Sequence, residues 1–214
     1  MNLDINQMIV KIPVLLFAIT VHEYSHGRAA LWLGDPTARD MNRLTLNPIP
    51  HIDPIGAICL FLFNFGWAKP VPVNPRYFRQ PRRDIVLMSL AGPAANISIA
   101  LLAGLMLRFF PVPSQLYLQA LLWLLIMNIG LGLFNLLPIP PLDGSHVMEN
   151  VLPPRTSMHY RSIGRYGPII ILMVVMLDNF AHTGIISRIL VGPIFKLAHL
   201  FAGDILFRIL PLLR

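Results

Sequence analysis

Long apolar runs separated by short polar segments dominate the hydropathy pattern of this chain. A membrane-spanning α-helix needs about 20 consecutive apolar residues, and in lipid the backbone must satisfy its hydrogen bonds within such helices. The apolar runs lie at about Met8–Leu33, Ile85–Phe110, Leu116–Leu137, Tyr166–Phe180 and Ile185–Leu210. The pattern predicts an all-α, polytopic helical membrane protein with about five to six transmembrane helices in a single domain, residues 1–214.

Two polar breaks in this pattern are informative. Gly34-Asp35-Pro36 ends the first run, because glycine suits a helix C-terminus and proline cannot continue the helix. The next segment, about Ala38–Arg83, contains a short apolar run at Ile55–Phe65, which is too short to span and predicts a small strand-like or re-entrant segment. The third run ends at Pro138–Gly144. Non-helical backbone at membrane depth is tolerated only where protein or a watery cavity covers it, so we expect a functional site there.

Composition supports the membrane interpretation. The chain is 55% hydrophobic and only 13% charged, with a mean hydropathy of +0.64, whereas soluble domains carry about 25% charged residues. The formal charge of +7 does not indicate nucleic acid as a partner, because the basic residues lie between apolar runs, where they set membrane orientation. Cys59 is the only cysteine, so an intrachain disulfide and a cysteine-based metal cluster are both excluded.

The basic residues also predict which side each loop occupies, since cytoplasmic loops carry an excess of Lys and Arg. The segment between the first two runs should be cytoplasmic because it contains Arg39, Arg43, Lys69, Arg76, Arg79, Arg82 and Arg83. Counting spans onward places Arg155, Arg161, Arg165 and the C-terminal Arg208 and Arg214 on the same side. The N-terminus is then outside, and the second half of the first helix lies in the cytoplasmic half of the bilayer.

The first apolar run contains the sequence His22-Glu23-Tyr24-Ser25-His26. On a helix, His22 and His26 lie one turn apart on one face and can both bind a tetrahedral Zn²⁺, while Glu23 beside them can take a proton from the attacking water. An ionisable side chain at membrane depth is costly and indicates a functional site. The motif therefore predicts a metal-dependent hydrolytic centre within the membrane.

Two histidines do not complete a hydrolytic zinc site, which commonly has three protein ligands. Asp143, just after the proline break, is the best candidate for the third ligand, although it could instead cap the helix that begins at Gly144. Asn135, just before the break, could orient a substrate carbonyl or stabilise its oxyanion, or could bond a neighbouring helix. Asn96 follows a stretch of small residues, Ser89–Ala95, and is better explained by packing and hydrogen bonding between helices than by catalysis.

At these residues the chain resembles the site-2 proteases, which are intramembrane zinc metalloproteases. The resemblance rests on Val21–His26 in the first core helix, Ala91–Asn96 in the second and Phe134–Gly144 in the third. Together these motifs cover a three-helix catalytic core at about residues 8–150. The stretches Gly34–Ala38 and Arg43–Pro48 look like those of a compact prokaryotic branch without PDZ or CBS domains, which implies a prokaryotic cell membrane.

The resemblance implies a role for each motif residue. His22, His26 and Asp143 would bind one zinc ion per chain, Glu23 would be the general base, and Asn135 would be the amide that polarises the substrate. The implied substrates are membrane proteins that are cut within or near a transmembrane helix.

A helical substrate must unwind locally before its peptide bond can be cut, so something must hold the unwound strand. Gly66–Asn74 is our candidate, because alternate prolines remove the donors of one edge while Val71 and Val73 keep theirs on the other. The alternative is an ordinary proline-rich loop. His51 could gate the open metal position or could orient this loop, and His146 could support Asp143 by a hydrogen bond.

We therefore predict a zinc-dependent intramembrane endopeptidase whose partners are transmembrane-helix substrates and the lipid bilayer. One alternative is a catalytically silent chaperone or adaptor that binds transmembrane helices, but a silent protein need not keep Glu23. Another is a metal or ion transporter, which should show further polar residues along a path across the bilayer, and the remaining runs show few. The sequence carries no signal for the oligomeric state.

Overall fold

The computed structural model describes residues 5–63, 66–110, 112–181 and 183–213. These residues form ten α-helices and no strand: α1 (Ile5–Trp32), α2 (Thr37–Asp40), α3 (Pro54–Phe63), α4 (Pro81–Phe109), α5 (Gln115–Asn135), α6 (Asp143–Val151), α7 (Pro154–Gly164), α8 (Gly167–Ala181), α9 (Ile185–Ala202) and α10 (Ile205–Ile209). The prediction of an all-α polytopic protein is confirmed. The predicted re-entrant run forms α3, and its last two residues, 64 and 65, lie outside the described part.

The segment between α3 and α4 contains only a trace of strand pairing. An isolated antiparallel bridge joins Ile52 to Ala68, and the Lys69 N–H donates to the His51 carbonyl at 2.9 Å. Short 3₁₀ turns at Ile49–His51 and Pro75–Tyr77 flank this bridge.

Four helices of the described part are long and apolar enough to cross a membrane: Met8–Trp32 within α1, then α4, α5 and α9. A fifth candidate is α7 together with residues 167–178 of α8, which are bent by 56° relative to each other. The structure thus has four to five candidate spans, against the five to six predicted.

The centre of the bundle is the contact of α4 and α5 with α1 on one side and α9 on the other. Its apolar core is built mainly from leucine and isoleucine, whose fully buried members are Leu107, Leu122, Leu125, Ile129 and Leu206. In lipid this packing depends on close contact rather than on exclusion of water. Gly104 illustrates it, since a Cβ there would lie 2.5 Å from the Cβ of Phe201.

The direction of α9 differs from the prediction. Gly104 near the end of α4 packs against Phe201 near the end of α9, and Gln119 near the start of α5 donates to the Leu212 carbonyl at 3.1 Å. At the opposite end of the bundle, Ile186 at the start of α9 packs on the same cluster as Phe134 near the end of α5. Helix α9 is therefore parallel to α4 and antiparallel to α5.

This direction changes the predicted topology. Because α9 begins where α5 ends, α7 and α8 return to the same side of the bundle and do not make a full crossing. With α1, α4, α5 and α9 as the four spans, the last described residues lie at the end of the bundle where α1 begins. Arg208 then lies at the opposite end of the bundle from the basic loops, whereas the prediction placed it with them because it assumed that every apolar run crosses.

Candidate active site

Two imidazoles from one turn of α1 form the centre of the site. His22 and His26 are 5% and 6% exposed, and their Nε2 atoms lie 3.0 Å apart. A helix places residues i and i+4 on one face, so this meeting follows directly from their spacing. The two rings stand nearly perpendicular, with an interplanar angle of 84°.

Helix α4 supplies a hydrogen-bond acceptor for the Nδ1 atom of each ring. His26 Nδ1 lies 2.8 Å from the Met88 carbonyl oxygen, and His22 Nδ1 lies 2.6 Å from Asn96 Oδ1. Both oxygens are acceptors, so each Nδ1 carries the proton and each Nε2 keeps a free lone pair. The two Nε2 atoms are thus presented to the site as ligands rather than as donors.

Asp143, the first residue of α6, brings a carboxylate to the same point. Its Oδ2 lies 3.1 Å from His22 Nε2 and 3.3 Å from His26 Nε2. The alternative role as a cap is not observed, because Leu142 is the N-cap residue of α6 and no side chain caps the helix. His22, His26 and Asp143 form the group of ligand atoms that could hold a metal ion within the described part of the chain.

Two glycines make room for this arrangement. A Cβ at Gly92 of α4 would lie 2.4 Å from His26 Nε2 and 2.7 Å from His22 Cε1, inside the space next to the ligand atoms. A Cβ at Gly144 would lie 2.2 Å from the Leu136 carbonyl oxygen. Gly144 therefore lets the start of α6 pack on the end of α5, which sets the position of Asp143.

The proposed base, Glu23, contacts the proline-rich segment at residues 66–74, which we name the Val71 segment. Val71 is 8% exposed, and its backbone N–H donates to Glu23 Oε2 at 2.9 Å. Its side chain packs on α1, where a Cβ at Gly27 would lie 3.0 Å from Val71 Cγ1. The segment thus lies directly against the helix that carries the motif.

Further hydrogen bonds tie the Val71 segment down on both sides of Val71. Arg43 donates from one terminal nitrogen to the Lys69 carbonyl at 2.8 Å and the Pro70 carbonyl at 3.2 Å. The Asn74 N–H donates to Oδ2 of the fully buried Asp35 at 2.7 Å. Asp35 follows α1 closely, so the same helix anchors both the middle and the end of the segment.

The hydrogen bonds of the other predicted site residues lie elsewhere. His51 is 1% exposed and bonds the Thr45 carbonyl through Nε2 at 2.9 Å, whereas its buried Nδ1 has no hydrogen-bond partner in the described part of the protein; its role as a gate or in orienting the loop stays a prediction. His146 is exposed on α6, and the Asn135 amide donates to the Leu131 carbonyl at 3.0 Å. Among the described residues, neither His146 nor Asn135 is hydrogen-bonded to Asp143.

Sequence reasoning did not assign to the site three polar side chains that the fold brings there. Asn96 was assigned to packing and to hydrogen bonding between helices, which the structure shows, Asp35 was assigned to ending the first helix, and Asn128 of α5 was not named. Asn96 and Asn128 are fully buried. The sequence did contain a signal for the two asparagines, because an amide side chain inside an apolar span needs a hydrogen-bond partner.

Comparison with known proteins gives the family. A model described as peptidase family M50 matches residues 111–176. Bacillus subtilis YwhC, named as a candidate zinc metalloprotease, is 39% identical over 169 residues, which is 75% of this chain and 77% of YwhC. The chain belongs to peptidase family M50. The predicted resemblance to the site-2 proteases and the predicted hydrolase class are confirmed.

Two other relatives are more distant. Rip2 of Mycolicibacterium smegmatis and Rip2 of Mycobacterium tuberculosis strain H37Rv, also named as candidate zinc metalloproteases, are each 30% identical, and this chain spans 64% of the length of each. No solved structure matched the chain. The M50 model match begins in the residues just before α5 and continues through Asp143 into α8.

Proposed function

We propose that this M50 peptidase is a zinc-dependent intramembrane endopeptidase that hydrolyses peptide bonds within or near transmembrane helices of membrane proteins. One observation carries the proposal. His22 Nε2, His26 Nε2 and Asp143 Oδ2 converge within 3.0 to 3.3 Å of one another, although with both Nδ1 atoms protonated all three are acceptors.

Three converging acceptors repel each other unless a cation lies between them. In keeping with this, the buried Asp143 Oδ2 has no hydrogen-bond donor in the described part of the protein. In a tetrahedral zinc site with bonds of about 2.0–2.1 Å, ligand atoms lie about 3.3 Å apart. The donor set of two imidazoles and one carboxylate suits zinc, and the relatives named as zinc metalloproteases support the same metal.

Each residue of the site has a separate role in the proposed hydrolysis. Bound zinc supplies a Lewis acid that polarises the scissile carbonyl and makes a water nucleophilic near neutral pH. Glu23 accepts the proton of the attacking water and delivers it to the leaving amine. The Val71 N–H holds Glu23 Oε2, so Oε1 is the oxygen that takes the proton. Asn135 is proposed to orient the substrate carbonyl.

The Val71 segment is our candidate for the substrate strand, with one refinement. Val71 itself is committed to Glu23, whereas the Val73 N–H has no hydrogen-bond acceptor among the described residues. An extended substrate that pairs with the Val73 N–H would bind two residues along the segment from Val71, the residue that contacts the proposed base. Backbone pairing of this kind supplies affinity without demanding a particular sequence.

The basic residues support a cytoplasmic active site. The loops at the end of α1 and the start of α7 carry most of them, while among the described residues the other end of the bundle holds Lys11, Arg108 and Arg208. With four crossings Arg208 joins Arg108 on the other side, but the loops between α1 and α4 and at α7 still hold most of the basic residues, so the bias toward their side remains. We infer that water and products exchange with the cytoplasm of a prokaryotic cell.

The test is co-expression of the chain with reporters that each contain one transmembrane helix, comparing the wild type with Glu23→Gln. We expect cleavage by the wild type and a loss of at least a hundredfold in the variant, since general-base catalysis contributes about 10²–10⁴-fold. Glu149→Gln is the matched control, because Glu149 is the chain's other glutamate and pairs with Arg161 at the surface. Such pairs contribute little to stability.

Equal cleavage by the wild type and Glu23→Gln would refute the assigned base. Absence of cleavage by any wild-type preparation that contains about one zinc per chain would favour the silent adaptor. Metal analysis of His22→Ala and Asp143→Ala completes the test, because both should lose zinc if these residues are ligands.

A further inference from the structure

An amide chain behind the metal-capable group connects the three core helices. Asn96 of α4 meets His22 of α1 on one side and Asn128 of α5 on the other. Both asparagines are fully buried in the interior of the bundle. The arrangement extends the site one layer deeper than the predicted ligands.

The orientation of each amide is determined by a backbone carbonyl, which can only accept. Asn128 donates from Nδ2 to the Leu124 carbonyl at 2.9 Å, so its Oδ1 faces Asn96. Asn96 then donates from Nδ2 to Asn128 Oδ1 at 2.8 Å and to the Ala18 carbonyl at 3.2 Å. With both N–H groups of Asn96 used, its Oδ1 is the atom that must face His22 Nδ1.

The two histidines therefore depend on different partners. The Met88 carbonyl holds His26, and no side-chain substitution removes a backbone carbonyl. For His22 the same function rests on one side chain, Asn96. Without it, His22 Nδ1 would be buried without a partner, and the ring could rotate or change its tautomer.

We propose that Asn96 is a positioning residue for the metal centre, acting through His22, and that Asn128 keeps the Asn96 amide in the required orientation. The inference rests on the proposed zinc site. Asn96 does not touch the reacting atoms. It directs the lone pair of His22 Nε2 toward the ligand position shared with His26 and Asp143.

The test compares zinc affinity, measured by chelator competition on detergent-purified protein, in Asn96→Leu and Asn96→Asp. Leucine removes the acceptor for His22 Nδ1, whereas aspartate keeps that acceptor and removes both donors. Loss of such a partner weakens metal binding about 10–100-fold. We expect that loss in Asn96→Leu and less than about threefold change in Asn96→Asp. If Asn96 contributed only to packing, Asn96→Asp should weaken zinc binding more than Asn96→Leu. The reason is that aspartate lacks the protons that Asn96 donates to the Ala18 carbonyl and to Asn128 Oδ1.

Asn150→Leu is the matched control, since among the described residues the Asn150 side chain donates only to the His146 carbonyl of its own helix, at 2.8 Å. It should keep the wild-type zinc affinity. Wild-type affinity in Asn96→Leu, or an equal loss in Asn96→Leu and Asn96→Asp, overturns the inference. If the wild type binds no zinc, the proposed function fails instead.

A measurement on the wild type decides the question if the variants do not fold. In zinc-loaded protein with ¹⁵N-labelled histidine, His22 should carry its proton on Nδ1, with Nε2 unprotonated. Its resonances are assigned by their absence in His22→Gln. A His22 ring with Nδ1 unprotonated overturns the inference.

Discussion

Gly92→Ala is the substitution whose effect the structure specifies most closely. The added Cβ would lie 2.4 Å from His26 Nε2 and 2.7 Å from His22 Cε1. Ordinary contact needs about 3.5 Å, so His26 Nε2 must retreat by about 1 Å. Metal–ligand distances tolerate only about 0.2 Å. The methyl group and both ligands therefore cannot keep their places together.

The magnitude follows from the cost of overpacking. Inserting a methyl group into a packed interior costs about 1–3 kcal/mol, and each 1.4 kcal/mol is a factor of ten in a binding constant. If the cost falls on the zinc-loaded state, zinc binding weakens about 5-fold to 150-fold. We expect the loss to appear in zinc affinity, with little change in helix content, because α4 accepts alanine readily.

The assay is chelator competition for zinc, with helix content measured by circular dichroism. Gly130→Ala is the control: it is the same substitution within a helix, α5, and its Cβ would make only an ordinary contact, at 3.6 Å from Ile194 Cδ1. It should keep wild-type zinc affinity and stabilise its helix by about 0.5–1 kcal/mol. Wild-type zinc affinity in Gly92→Ala would refute a metal held between His22 and His26 on the side that faces α4.

Two further substitutions test neighbouring parts of the site. Gly144→Ala would place a Cβ 2.2 Å from the Leu136 carbonyl oxygen, so the start of α6 must shift and the zinc content should fall. Gly130→Ala is the control and should retain zinc, because its nearest contact lies at 3.6 Å. Equal zinc content in the two variants would contradict the role of Gly144 in positioning Asp143. Val71→Pro removes the N–H that donates to Glu23, and because hydrogen bonds to charged groups contribute about 1.5–3 kcal/mol, reporter cleavage should fall about tenfold to a hundredfold with zinc retained. Val71→Ala keeps the N–H and should keep more activity than Val71→Pro, and the opposite order would show that the side chain matters more than the bond.

The motif residues show how far sequence reasoning reaches. His22 and His26 were predicted to share a face because helical spacing requires it, and their Nε2 atoms do meet at 3.0 Å. Asp143 was chosen because non-helical backbone at membrane depth needs a covered site, and its carboxylate lies beside both rings. The roles of Glu23, Asn135 and Val73 in catalysis and substrate binding remain predictions.

Other features of the site depend on contacts between segments that are distant in the chain. Asn96 contributes to the site through His22, 74 positions away in the chain. Arg208 was placed with the basic loops because an apolar run that folds back looks the same in sequence as one that crosses. His51 was predicted either to gate the metal position or to orient its loop; its contacts lie within its own loop and with the Val71 segment, and both roles remain predictions.

The sequence by itself determined what local physics controls: the long apolar helices, because lipid leaves the backbone no other partner, and the pairing of His22 with His26, because one helical turn separates them. The tertiary structure decided which helices pack together and in which direction. That packing oriented Asn96 behind His22, set Gly92 beside the ligands and pressed Val71 onto Glu23. These contacts depend on the meeting of distant segments, and no single stretch of the chain encodes such a meeting.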